Sequence, residues 1–235
     1  MKKIIAIGDI HGRTVWKNIV QQHLDADRII FVGDYFDAPY EKRHLGFFGD
    51  LELENFNAIL KFKLERPNQV VLLIGNHDYH YLPDVDTGGC SGFQPNMHPM
   101  FSKVLMKAVG LGAMQWIHQE DIFLFSHAGV TKSWMQLVGL DDVYAINNLE
   151  TSKFDYNYEY DSSGFGESPY QTPIWVRPSS LNADKLDGLI QVVGHTPQHN
   201  GVNSIDGLHF IDCLHESKYL MLKDGNTYSM KHELS

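Results

Sequence analysis

Five short apolar runs in this chain stop in the same way. Residues 3–7 (KIIAI) lead into Gly8-Asp9-Ile10-His11-Gly12, and 28–32 (RIIFV) into Gly33-Asp34-Tyr35-Phe36-Asp37. Residues 70–74 (VVLLI) lead into Gly75-Asn76-His77-Asp78, and 121–125 (DIFLF) into Ser126-His127-Ala128-Gly129. Residues 189–193 (LIQVV) lead into Gly194-His195-Thr196. Runs this short and this rich in Ile, Val and Phe read as buried strands. Helical candidates separate them, at 14–24, 50–65, 99–109 and 131–138; in the second, Leu53, Phe56, Leu60 and Leu64 share one face. Strands alternating with helices predict an α/β layered fold. In such a fold ligands bind in the crevice outside the C-terminal strand ends, and that is where these polar groups fall. Glycine beside them permits tight turns and close backbone approach.

The tail has a different rhythm. Residues 207–213, 218–223 and 226–231 read as a short β-meander, with a turn at 224–226 (DGN). Two stretches, 83–98 and the acidic, aromatic 150–173, read as long loops. Loops of that length in a compact domain are commonly functional lids or disordered, and the expectation is that 83–98, 150–173 or both flank the site. Strands continue after each, and the expectation is a single domain over 1–235.

Composition narrows the function classes. A formal net charge of −10 disfavours duplex nucleic acid as a partner, yet it does not oppose a phosphate substrate, because bound cations reverse the field locally. No stretch approaches the ~20 apolar residues of a membrane span. The N-terminal MKKIIAIGDIHG is too short for a signal-peptide core, and Cys90 and Cys213 have no metal-type spacing. A reducing, cytoplasmic location follows as the expectation.

Asp9, His11, Asp34, Asn76, His127 and His195 together offer two carboxylates, three imidazoles and an amide oxygen, without thiolate. Singly, an Asp after a strand is ordinarily a cap or turn former, and a lone His a satisfied structural residue. Five coincidences on five strand ends argue for a site. Oxygen and imidazole donors suit two divalent cations, Mn²⁺ first, with Fe, Zn²⁺ or Mg²⁺ as alternatives. Six donors are too many for one open catalytic ion but fit a pair ~3.5–4 Å apart sharing a carboxylate.

In this order, GDIHG, GDYFD, GNHD, SHAG and GHT resemble the motifs of the calcineurin-like metallophosphoesterase superfamily. More narrowly, they resemble its phosphoprotein phosphatase and diadenosine tetraphosphatase branch. The resemblance spans residues 8–196 and implies a sandwich of two mixed β-sheets flanked by helices. It implies that Asp9 and His11 hold one metal, that Asp34 bridges, and that Asn76, His127 and His195 complete the second. His77 would be the general acid, oriented by Asp37, while a hydroxide from water shared by the metals attacks phosphorus in line. Arg177, in IWVRP, would contact substrate phosphate, and Asn76 would help position it.

Relatives carry Arg-Gly directly after the bridging motif, where this chain has Ala38-Pro39; Arg43 is a substitute from nearby sequence, and Arg13 follows GDIHG closely enough to face the site. The implied activity is hydrolysis of phosphomonoesters of protein or small molecules, in the manner of serine/threonine phosphatases. The alternative is a bis(5'-nucleosyl)-tetraphosphatase-like hydrolase acting on dinucleoside polyphosphates. A nuclease is disfavoured by the acidic charge and by Pro197, which stands where a second histidine would follow His195. A scaffold that has lost catalysis would lack ligands or the acid, and this chain has them all. Tyr79 and His80 read as packing or capping residues, and Asp212 as either a support of the site or a structural residue.

Overall fold

The computed structural model describes residues 2–38, 48–85 and 91–232, so Arg43 and Cys90 lie outside the described residues. The strands are β1 (Lys3–Ile7), β2 (Arg28–Phe31), β3 (Val70–Leu73), β4 (Met114–Gln115), β5 (Ile117–Glu120) and β6 (Phe123–Ser126). They continue with β7 (Ile190–Val193), β8 (Asn203–Ile205), β9 (Leu208–Phe210), β10 (Lys218–Lys223) and β11 (Asn226–Lys231). The α-helices are α1 (Trp16–Gln22), α2 (Phe48–Glu65), α3 (Asn76–Tyr79), α4 (His98–Gly110), α5 (Lys132–Leu137) and α6 (Pro178–Asp184).

Two mixed sheets result. The first runs β11-β10-β1-β2-β3-β4, with β1 to β4 parallel and β10 antiparallel to β1. The second runs β5-β6-β7-β9-β8, with β6, β7 and β9 parallel. Alternation along the strands divides their side chains between two cores. Ile4, Ala6, Ile30, Val32, Val71 and Leu73 face the second sheet and meet Phe123, Phe125 and Val192. Ile5, Ile7, Ile29, Phe31, Val70 and Leu72 face the helices and meet Trp16, Phe56 and Leu105. Both faces of the central strands are therefore buried, which is why they read as unbroken apolar runs. Each such side chain contributes ~1.5–3 kcal/mol by leaving water.

Two sequence expectations need correction. The tail is not a meander: β9 lies in the second sheet, parallel to β7, whereas β10 and β11 form a hairpin at the edge of the first. Periodicity does not encode which sheet a strand joins, and residues 211–217 carry the chain across. The turn itself is where expected, with Asp224 and Gly225 at φ 53° and 80° between paired Lys223 and Asn226. On α2 the buried stripe is Glu52, Asn55, Phe56, Ile59 and Leu60, while Leu64 is exposed. Two of those buried residues are polar because they have partners. Asn55 accepts from the Trp16 indole and donates to the Arg13 carbonyl, and Glu52 accepts from the Ala38 amide just past the second motif.

Candidate metal centre

The ends of β1, β2, β3, β6 and β7 converge. Within that space the carboxylate of Asp34 forms two donor groups, one with His11 and His77 and one with Asp9 and His127, each drawn together within 4.8 Å. Asp34 Oδ2 is 3.4 Å from His127 Nε2 and 3.6 Å from His11 Nε2. His195 reaches the same place from the second sheet, its amide donating to both oxygens of Asp9 at 3.1 Å. Asn76, at the start of α3, completes the set, with Oδ1 at 2.8 Å from His127 Nε2 and 2.9 Å from His195 Nδ1.

The donor chemistry fits cations. His11 and His127 each donate from Nδ1 to a carbonyl, Phe36 and Val32 respectively, which turns the Nε2 lone pair inward. His195 donates from Nε2 to the Trp175 carbonyl and turns Nδ1 inward. With protons so placed, the Asn76 oxygen faces two imidazole lone pairs at hydrogen-bond distance, with no proton between them. Three acceptors in contact repel unless a cation takes their electron pairs. Burial reinforces the point. It holds the His11 and His195 imidazoles well below their usual range and His127 down to about 3, so all three are neutral donors of the kind a cation takes. Burial, then the charge of the neighbouring carboxylates, pushes Asp9 and Asp34 well up. Carboxylates packed this way ionise readily only beside positive charge.

The backbone is bent to assemble the cluster. His11, Asp34, Asp37 and His195 have φ of 42°, 53°, 59° and 64°, in the left-handed region that non-glycine residues avoid. Such residues cost ~1–3 kcal/mol each and persist only where surrounding contacts hold them. Glycine supplies the room: a Cβ on Gly75 would strike the Asp34 carboxylate, and one on Gly194 that of Asp9.

Asp78 does much of the holding. Its carboxylate accepts from the amides of Asp34 (2.8 Å), Tyr35 (2.8 Å) and Gly75 (2.9 Å), tying the second and third motifs together. Burial still pushes it up to about 7 against those three bonds. Nothing in the sequence singled out this role beyond the quoted GNHD. Asp78→Ala orphans three buried N–H groups and should cost about 3 kcal/mol of stability, with the loss of paired donors outweighing relief of the buried charge. A urea unfolding midpoint unchanged from wild type would count against this.

His77 stands apart from the other imidazoles. Its Nδ1 donates to Asp37 Oδ2 at 3.0 Å, leaving Nε2 at 4.0 Å from Asp34 Oδ2. Asp37 is itself fixed by the Tyr81 hydroxyl (2.6 Å) and Gln94 Nε2 (3.3 Å). Gln94 also donates to Glu52, so the described part of 83–98 buttresses the Asp37–His77 pair. A carboxylate behind an imidazole suits either an oriented proton donor or a metal ligand. The structure thus brings His77 to the cluster without choosing between them.

The arginines differ. Arg177 donates to Phe165 O, His195 O and Thr196 Oγ1, and Nη2 forms no hydrogen bond among the described residues. Arg13 lies on the carbonyls of Asp9 and Ile10, beside Asp212. Asp212, which the sequence left open, lies beside Asp9 and Arg13 and is pushed by burial up to about 6. Segment 150–173 anchors by stacking Phe154 on Trp116 (centroids 3.7 Å apart), and its Asp155 accepts from Tyr79.

Comparisons with known sequences and structures bear on the family and the fold. The model of calcineurin-like phosphoesterases matches residues 2–225. No match to a curated protein was found. The structure resembles a cold-active protein-tyrosine phosphatase from a psychrophilic Shewanella species, with 17% identity over 97% of this chain and 77% of the other, and a TM-score of 0.56. It resembles a serine/threonine phosphatase from Saccharomyces cerevisiae, with 13% identity over 100% and 81% and a TM-score of 0.57. A metallophosphoesterase from Sphaerobacter thermophilus is similar at 15% identity over 100% and 89%, with a TM-score of 0.52. At these identities the likeness is one of fold.

Proposed function

The chain belongs to the calcineurin-like phosphoesterases, metal-dependent hydrolases of phosphoric esters, and on that premise we propose that it hydrolyses phosphomonoesters at a two-metal centre built from Asp9, His11, Asp34, Asn76, His127 and His195. The observation that carries the reading is the central Asp34 carboxylate, in reach of Asp9 and with Oδ2 at 3.4 Å from His127 Nε2 and 3.6 Å from His11 Nε2. Divalent cations bound there supply Lewis-acid charge to the phosphate oxygens and make water nucleophilic near neutral pH. Asp9 and His11 would hold one cation, Asn76, His127 and His195 the other, and Asp34 both. The absence of thiolate favours Mn²⁺.

The residues around the centre do the rest. Asp37 accepts a hydrogen bond from His77 Nδ1–H and so aims Nε2 at the cluster, where the doubly protonated ring would give its Nε2 proton to the leaving oxygen and return to the neutral form. Arg177 is pinned by its Nε and Nη1 atoms, and Nη2 is left to donate to the phosphate. Asn76 positions metal and phosphate together. Arg13 lies against Asp9 and Asp212 and balances their charge, which makes it a weaker candidate for substrate contact than Arg177.

Phosphorylated protein and nucleotide are the substrate classes in view, and the two neighbours described as protein phosphatases favour a monoester. A second reading, cleavage of a dinucleoside polyphosphate, draws support from an aromatic-walled cavity beside the centre. Among the described residues no helix is long and apolar enough to cross a membrane, and Cys213 is free and buried, which suits a cytoplasmic single-domain enzyme over 1–235. The test is a substrate panel on chelator-stripped protein. Turnover should be absent until Mn²⁺ is restored, and inorganic phosphate should then appear from a phosphopeptide or aryl phosphate. Release only from diadenosine tetraphosphate would favour the second reading, and turnover independent of metal would overturn both.

A further inference from the structure

Beside the metal centre the chain encloses a cavity of about 260 Å³, lined by Tyr79, His80, Asp155, Tyr156, Tyr158 and Trp175 with Gly164. It shares a wall with the centre. Trp175 gives its carbonyl to His195 and sets its ring 6.0 Å from that imidazole, centroid to centroid. Tyr79, the last residue of α3, and His80, which caps it, directly follow Asn76, His77 and Asp78. The volume falls just below the ~300–1,000 Å³ of ordinary small-molecule pockets, which suits one planar ring system rather than a whole dinucleotide.

The walls are aromatic on several sides. Tyr156 and Tyr158 pair at 4.6 Å, Tyr156 meets Trp175 at 5.4 Å, and His80 meets Trp175 at 5.7 Å. One polar group interrupts them. The Asp155 carboxylate accepts from the Tyr79 hydroxyl and retains further acceptor capacity. The tract carrying this wall holds Glu150, Asp155, Glu159, Asp161 and Glu167 against Lys153, so it repels an anionic ligand.

We propose that this cavity is the recognition site for the nucleobase of a nucleotide substrate whose phosphate sits at the metal centre. Tyr158 and Tyr156 stack on the ring, and Asp155 accepts from a base N–H. A phenyl ring fills the same space but offers Asp155 no such donor. The proposal rests on the phosphoesterase reading only for the position of the phosphate.

Adenosine, which has no phosphate to hydrolyse, tests the cavity separately from the chemistry. Calorimetric titration of the full-length protein, metal-free and Mn²⁺-loaded, should show saturable binding in both states. Tyr158→Ala should weaken it by about 5- to 150-fold, the range seen when one stacking ring is removed, and Tyr158→Phe should retain it. Asp155→Asn should narrow the preference for adenosine over phenol. In turnover, Tyr158→Ala should lower kcat/KM for adenosine monophosphate by a similar factor and leave glycerol phosphate unchanged within about 2-fold, since the latter has no ring to stack. Absence of adenosine binding to wild type, or equal affinity for adenosine and phenol, would overturn the proposal. If adenosine binds as described but no phosphate ester is hydrolysed, the cavity stands and the activity reading fails.

Discussion

Replacing Asp34 by asparagine should cut phosphatase activity by about 10³-fold at fixed Mn²⁺, because the several kcal/mol that Lewis-acid charge supplies depends on both cations being held. Asparagine is the informative choice. It keeps the shape and the oxygen that accepts from the His77 amide at 2.9 Å, and removes only the charge shared by both donor groups. Metal content should fall with activity. The same substitution should raise the thermal midpoint of the metal-free protein. In the folded chain Asp34 is buried among other carboxylates, and burial with that repulsion disfavours its ionised form. That penalty sets in as pH rises through the usual carboxylate range and grows with pH toward the raised folded value, so at neutral pH it is present in wild type and absent from the variant. A variant with less metal and a higher midpoint would show a centre assembled at the expense of stability, as functional sites commonly are. A variant that binds metal like wild type would remove Asp34 from the centre.

The second large effect separates proton donor from ligand. His77→Ala should lower kcat by ~10²–10⁴ for an alkyl phosphate, about 3–5 kcal/mol in the barrier, the usual contribution of a positioned general acid. For p-nitrophenyl phosphate the loss should be much smaller, because that leaving group departs without a proton. Asp37→Asn should give a milder version, since Tyr81 and Gln94 still anchor the side chain and only the acceptor behind His77 Nδ1 is altered. Removal of His127 should instead depress both substrates together and respond to excess Mn²⁺. Equal losses on both substrates for His77→Ala would assign His77 to the metals, the role that its 4.0 Å approach to Asp34 also admits.

How much of this was legible beforehand follows from the physics of each feature. The donor residues were visible because each one interrupts an apolar run, and a run ending in Gly-Asp or Gly-Asn-His needs an explanation that packing does not supply. Strands β1, β2, β3, β6 and β7 were visible for the same reason, whereas the short β4, β5 and β8 were not. What the sequence concealed is non-local. Asp78 holds three amides from two other stretches of backbone, and nothing near it in sequence marks those partners. Glu52 and Asn55 sit on the buried stripe of α2 because Ala38, Gln94 and Trp16 are there to satisfy them, so apolar periodicity pointed instead to the exposed Leu64. The switch of sheets between β9 and β10 is likewise a matter of partners. Positive φ at His11, Asp34, Asp37 and His195 is strain imposed by the assembled site, against the preference of the residues themselves.

The central claim is that Asp34 binds metal and His77 does not. Metal content of dialysed, Mn²⁺-loaded wild type, Asp34→Asn and His77→Ala proteins, measured side by side, tests it most directly. The expected result is two ions per chain in wild type, two in His77→Ala, and fewer in Asp34→Asn. Loss of metal in His77→Ala matching that in Asp34→Asn, or a wild type that retains no more than one ion under saturating Mn²⁺, would contradict it.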